Sequence, residues 1–112
     1  MKQIPRYTVE IYVTAEGHSP FIEWLESIKD AVTVQRIRNR IDRFELGNLG
    51  DHKPLAGHSG LFEARLEFGP GYRLYFTIQG ESTLTLLFGG RKGSQRRDIT
   101  RAANLLKSHF EG

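Results

Sequence analysis

The chain has 112 residues, 16 Lys and Arg against 13 Asp and Glu, 38% hydrophobic residues and no cysteine. That length makes one domain, 1–112, able to bury roughly two thirds of its unfolded surface in a single core, and the missing cysteines exclude disulfide frameworks, thiolate zinc sites and cysteine nucleophiles. The net charge of +3 is weak evidence for an anionic partner; with no apolar run near the roughly 20 residues of a membrane span and no signal-peptide core in MKQIPRYTVEIYV, a cytoplasmic protein with no membrane partner is expected.

Alternating β-branched and aromatic residues from Tyr7 to Val13 predict a first strand, ended by Gly17. Ser19 followed by Pro20 marks a helix start, with serine as cap and proline at the first helical position. Phe21, Leu25 and Ile28 then fall at helical spacing beside Trp24. Asp30 caps a second helix whose apolar stripe is Val34, Ile37, Ile41 and Phe44, with Arg36, Arg40 and Arg43 in a row on the other side. Gly47-Asn48-Leu49-Gly50 stops it.

From Leu61 to Phe68 the period becomes two, with Phe62, Ala64, Leu66 and Phe68 on one side and Leu61, Glu63, Arg65 and Glu67 on the other. Gly69-Pro70-Gly71 turns into a strand over Tyr72 to Gln79, and Gly80-Glu81-Ser82 into one over Thr83 to Phe88, a three-stranded meander. Tyr72, Leu74, Phe76 and Ile78 are expected to enter the core. Ser94 is the expected cap of a last helix with Ile99, Ala102, Leu106 and Phe110 as its buried stripe. The predicted order is β-α-α-β-β-β-α, an α+β domain with helices packed on one face of a mostly antiparallel sheet. The other face, carrying Glu63, Arg65, Arg73, Tyr75, Thr77 and Thr85, is then expected to be free.

Five cations, Arg91, Lys92, Arg96, Arg97 and Arg101, stand between residues 91 and 101 with a single anion, Asp98, a local net charge of +4. Arg96 and Arg97 oppose the dipole of the helix they open, which calls for another reason, and a bound anion is one. Arg65 and Arg73 flank the 69–71 turn symmetrically, so they are expected to be cross-strand neighbours within reach of one phosphate, or else neutralised by Glu63 and Glu67 on a solvated face. Lys92 follows Gly89-Gly90, where glycines permit close approach of a ligand to the backbone. Lys53, His52 and His58 in the loop before the meander are further cations or titratable groups. Asp98 and Gln95 open the last helix, where an acid is favourable for structural reasons alone. No metal-ligand spacing, phosphate-binding glycine loop or serine-nucleophile motif is present, and no cofactor or metal is expected.

Trp24-Leu25, GNLGDHKPL (47–55), LFEARLEFGPGYRLYF (61–76) and LLFGGRKGSQRRDITRA (86–102) occur in an order and spacing that resembles the RelE/ParE superfamily of bacterial type II toxins, most closely its addiction module killer protein branch, related to HigB. The resemblance implies a compact toxin neutralised by an antitoxin encoded beside it, in this branch a helix-turn-helix DNA-binding protein. It also implies ribosome-dependent cleavage of mRNA without a metal. The arginine of the family's G-Y-R strand matches Arg73, the basic position on the strand before it matches Arg65, and the cation after the fourth strand matches Lys92 and, more loosely, Arg91. Family nucleases place a tyrosine or histidine in the C-terminal helix, whereas SQRRDITRA has neither and Asp98 stands nearest that position.

The expected chemistry is attack of an RNA 2′-hydroxyl on its own phosphate. Arg65 and Arg73 would stabilise charge, since guanidinium stays protonated, and Lys92, crowded by other cations, would exchange a proton. Lys53, His52, Glu63, Tyr75, Arg91 and Asp98 are the reserve acid, base or phosphate contacts. The superfamily also contains ParE-type gyrase inhibitors without nuclease residues. A non-enzymatic nucleic-acid or protein-binding module clamping phosphate with Arg36, Arg40, Arg43, Arg96 and Arg97 is the third reading.

Overall fold

The computed structural model describes residues 6–111; the first five residues of the N-terminal stretch read above for a leader lie outside it. Five strands, β1 (Thr8–Ile11), β2 (His52–Pro54), β3 (Phe62–Leu66), β4 (Tyr72–Gln79) and β5 (Thr83–Arg91), form one sheet in the order β1-β5-β4-β3-β2. Only β1 runs parallel to its neighbour. Three helices accompany them, α1 (Pro20–Ser27), α2 (Ala31–Glu45) and α3 (Gln95–Glu111), the last preceded by a 3-10 turn over Lys92–Ser94. The architecture is α+β, with a short edge strand at 52–54 where a loop was expected. Among the described residues no helix is long and apolar enough to cross a membrane.

The caps predicted for the first two helices form. The Ser19 hydroxyl accepts from the Ile22 N–H with Pro20 in the first turn, and the Asp30 carboxylate accepts from the Val32 N–H and from the Thr33 hydroxyl at 2.8 Å. The capped helices present Phe21, Leu25, Ile37 and Phe44 to one face of the sheet, where they meet Ala64, Leu66, Tyr72, Leu74, Phe76, Leu84 and Leu86. Arg40, expected in a basic row, instead turns inward. Its guanidinium donates to the carbonyls of Leu49 (3.0 Å), Asp51 (2.8 Å) and Arg65 (3.0 Å), tying the loop after α2 to β3. Gly50 sits against that guanidinium with φ +62°, so a side chain there would meet both a backbone penalty and a clash.

The expectation that all helices share one face is corrected. α3 lies on the opposite face, where Ala102 and Leu106 pack on Leu61, Tyr75 and Leu87. An amphipathic helix needs an apolar partner surface, and this one is supplied partly by a β-bulge. Opposite Tyr75 and Phe76 the register in β5 jumps from Phe88 to Leu86, so Leu87 is the extra residue and joins Phe88 on the α3 side. Phe110 was expected in the buried stripe but is 57% exposed. The sheet ends first: His109, one residue earlier, bonds the side chain of Gln79, the last residue of β4, at 3.1 Å.

Candidate functional site

The hairpin register brings Arg65 and Arg73 opposite each other on β3 and β4, and Arg73 opposite Gly90 on β5. Lys92 is folded back beside them, because its N–H donates to the Gly71 carbonyl at 2.9 Å. A Cβ built on Gly71 would lie 3.3 Å from Lys92 Cβ and 3.8 Å from Arg73 Nη1. Gly71, at φ +80°, is thus the common floor of these two cations. The next row of the sheet runs Lys53, Glu63, Tyr75, Phe88. Arg65, Arg73, Lys53, Glu63 and Tyr75 therefore occupy two adjacent rows at one end of the sheet, with Arg91 and Lys92 next to them.

Access divides this group. Arg73 was expected to face solvent on a working surface, but it is 3% exposed, and Glu63 and Tyr75 are at 0%. The first turn of α3 covers them. Arg73 lies 3.3 Å from Glu67 through Nη1 and 3.8 Å from Glu63 through Nε, and Nη1 also donates to the Tyr72 carbonyl at 3.0 Å. Glu63 accepts from Gln95 Nε2 at 2.6 Å, a link from sheet to helix. Thr77 and Thr85, also expected outward, are buried between the sheet and α3. Burial, then the nearby Glu63 and Asp98 carboxylates, push the Tyr75 phenol up, against a smaller opposing effect of Arg73, so it stays protonated at neutral pH. A phenol with no exposed surface does not meet a polymer substrate in this arrangement.

The Gly89-Gly90 pair was read as room for a ligand. It is room for the protein's own side chains. The Trp24 indole of α1 lies on Gly89, and the Asp98 carboxylate lies on Gly90, each so close that an added Cβ would overlap it. Asp98, 5% exposed, also pairs with the Ser94 hydroxyl, which lies 3.2 Å from the Arg91 carbonyl. Ser94 therefore closes the 3-10 turn by holding Asp98, in place of the cap expected of it. Asp98 is part of how α3 is seated, and it has no route to a bound phosphate.

What remains exposed is cationic. Arg91 and Lys92 in the turn, Arg96 and Arg97 at the start of α3, and Lys53 on the edge strand all face solvent, and Arg97 Nε is 3.9 Å from Asp98. His52 pairs with Ala64, whose methyl is in the α1/α2 core; since neighbours in register share a face, its ring lies on the other side of the sheet from Arg73, bonded to the Gly50 carbonyl at 2.8 Å. His58 lines a separate cavity of about 340 Å3 with Gln95, Arg96, Ile99 and Thr100. Among the described residues no group of three His, Asp or Glu side chains is placed to hold a metal.

Asp51 and Gln95 are the partners that sequence reading missed. Asp51 bonds Arg65 Nη2 at 2.9 Å, and that bond holds the Asp51 carboxyl below the ordinary 3.8 while raising Arg65. Asp30 is lowered in the same way, first by the Thr33 hydroxyl and then by the Val32 N–H. Carboxyls with depressed values in the folded state contribute stability that is complete above the unfolded value and lost as pH falls through the folded one. The urea midpoint is accordingly expected to hold from neutrality down to about pH 4 and to fall below it. Asp51→Asn should flatten part of that acid limb, and an identical limb in the variant would show that the bridge contributes nothing.

No family model matches the chain. A Haemophilus influenzae protein named "Uncharacterized protein" is 39% identical over 82 residues, which cover 73% of this chain and 81% of the relative. Identity of that level over that share of both chains shows common descent, and the chain belongs to the family of this Haemophilus influenzae protein.

Proposed function

We propose that the protein is the toxin of a type II toxin-antitoxin pair, a RelE/ParE-like endoribonuclease that cuts mRNA on the ribosome without a metal. The observation that carries this reading is the meeting of Arg73 and Lys92 at Gly71, with Arg65 opposite Arg73 on the neighbouring strand, inside an exposed rim of Arg91, Arg96 and Arg97. Glu67, 58% exposed on its side chain, pairs with Arg73 Nη1. A phosphate displacing that exposed carboxylate gains the Arg73 guanidinium.

In the reaction the 2′-oxygen loses its proton and attacks the adjacent phosphorus, the bond from phosphorus to the 5′-oxygen breaks, and that oxygen takes a proton. The products are a 2′,3′-cyclic phosphate and a 5′-hydroxyl. Arg65 and Arg73 stabilise the added charge on the phosphorane. Lys92 supplies the proton to the leaving oxygen, and Lys53, exposed on the edge strand, is the group that receives the proton of the 2′-hydroxyl. Glu63, Tyr75 and Asp98 hold the arginine and helix α3 in place. The antitoxin, a helix-turn-helix DNA-binding protein from the neighbouring gene, and the cytoplasmic setting belong to the same reading and rest on the resemblance in sequence.

A second reading has its own observation. Every carboxylate or phenol beside Arg73 apart from Glu67 is buried or committed to α3, which suits a ParE-like gyrase inhibitor that needs no proton carrier. Controlled expression separates the fates of the cell: growth arrest relieved by co-expressing the neighbouring gene establishes the toxin class, and DNA-damage signalling with an intact message pool marks the gyrase inhibitor. A growth rate unchanged by high expression of the folded protein would end both toxin readings.

A further inference from the structure

On the α2 side of the sheet a groove of about 440 Å3 runs between α2 and the end of β3. Its cationic wall is Arg36, Arg43 and Arg65; Arg40 forms the base, its guanidinium already taken up by carbonyls. Arg36 lies 4.8 Å above the centre of the Phe68 ring, so one face of its guanidinium is fixed on an aromatic support and the other is free. Asn39, Asp51 and Glu67 add amide and carboxylate groups between the cations. Arg65 and Glu67 belong both to this groove and to the Arg73 site.

We infer that this groove is a subsite for single-stranded RNA, holding the segment that flanks the phosphate at Arg65, Arg73 and Lys92. The inference rests on the nuclease reading and extends it to how the polymer is held. Phosphates of the segment meet Arg43 and Arg65, and one base stacks on the outer face of Arg36, since guanidinium planes and aromatic rings are the surfaces on which unpaired bases rest. Asn39, whose oxygen accepts from Gln35 at 2.9 Å, turns its amide N–H groups to base edges, where they donate to ring nitrogens and carbonyls. A duplex, with its bases already stacked, has no use for the Arg36 platform.

The test is fluorescence anisotropy of a labelled single-stranded RNA with the whole purified chain, over a series of salt concentrations. Arg36→Ala with Arg43→Ala is expected to weaken binding at least about tenfold, through the lost stack and the lost phosphate contact together, and to make the salt slope shallower by about 0.7, the value for one lost contact to a single strand. Arg36→Lys keeps the charge and loses the plane, and it should recover the slope without recovering all the affinity. An Arg36/Arg43 double variant that binds like wild type, while Lys92→Ala binds weakly, overturns the groove and leaves the site reading standing. Wild type that binds no RNA yet still arrests growth by cutting messages overturns the groove alone. RNA binding displaced equally well by duplex DNA or by polyglutamate overturns the single-strand assignment. Unchanged urea midpoints in the variants, expected because Arg36 and Arg43 are exposed, confirm that binding and not folding is being read.

Discussion

Arg73→Ala is expected to cost about 3–5 kcal/mol of folding stability, the range for removing one partner of a buried ion pair. The side chains of Arg73 and Glu63 are 4% and 0% exposed, so truncation strands the Glu63 carboxylate with only the Gln95 amide against it. Urea unfolding reads the loss as a lower midpoint. Adding Glu63→Gln should restore part of it, because the double variant no longer buries an unpaired charge. A drop below about 1 kcal/mol, the level of an exposed pair, would mean that α3 does not seal this region. For a protein this dependent on Arg73, lost activity in the alanine variant reports folding before it reports chemistry.

Gly89→Ala and Gly90→Ala are expected to be the next most damaging changes, at about 3 kcal/mol each, the upper part of the range for overpacking a filled core. At Gly89 the added methyl enters the Trp24 indole, which is packed against Phe21 and Tyr72 with ring centres 5.8 and 6.3 Å away. At Gly90 it enters the Asp98 carboxylate. The two are distinguishable by rescue. Asp98→Ala should relieve Gly90→Ala, because it empties the space the methyl needs, and should do nothing for Gly89→Ala. Additive losses for Gly90→Ala with Asp98→Ala would show that the carboxylate does not rest on that glycine. The pair thus fixes both helical layers to one strand, α1 from one side and α3 from the other.

Local signals in the sequence carried far where the cause was local. Ser19 and Asp30 satisfy N–H groups within three residues of themselves, and Gly69-Pro70-Gly71 sets the register that pairs Arg65 with Arg73; both follow from the chain in that neighbourhood. Alternation correctly sorted Leu74 and Phe76 from Arg73 and Tyr75. It could not say that the second set would also be covered, because a period of two assigns faces and not what lies over them. The cover is α3, whose side of the sheet depends on the path through the 3-10 turn and on the Leu87 bulge, a single residue in the run Leu86-Leu87-Phe88. Arg40 and Asp51 were illegible for a related reason. Their partners, the Arg65 carbonyl and the Arg65 guanidinium, lie 25 and 14 residues away, and only the packed fold brings them together.

The candidate site inherits that division. Its cations were readable as types and positions, and the hairpin set Arg65 opposite Arg73. Which of them meets a substrate was not readable, since Arg73 is reached only past Glu67 while Lys92 stands open beside it. Lys92 is therefore the residue on which the functional reading is best tested: it is exposed, it makes no ion pair among the described residues, and its replacement leaves the core untouched. Mapping the 5′ ends of cellular messages after induction of wild type and of Lys92→Ala is the most direct measurement. New ends within coding regions are expected for wild type and their loss in the folded variant; undiminished cleavage by Lys92→Ala, or growth arrest by wild type with messages left whole, would contradict the proposed nuclease.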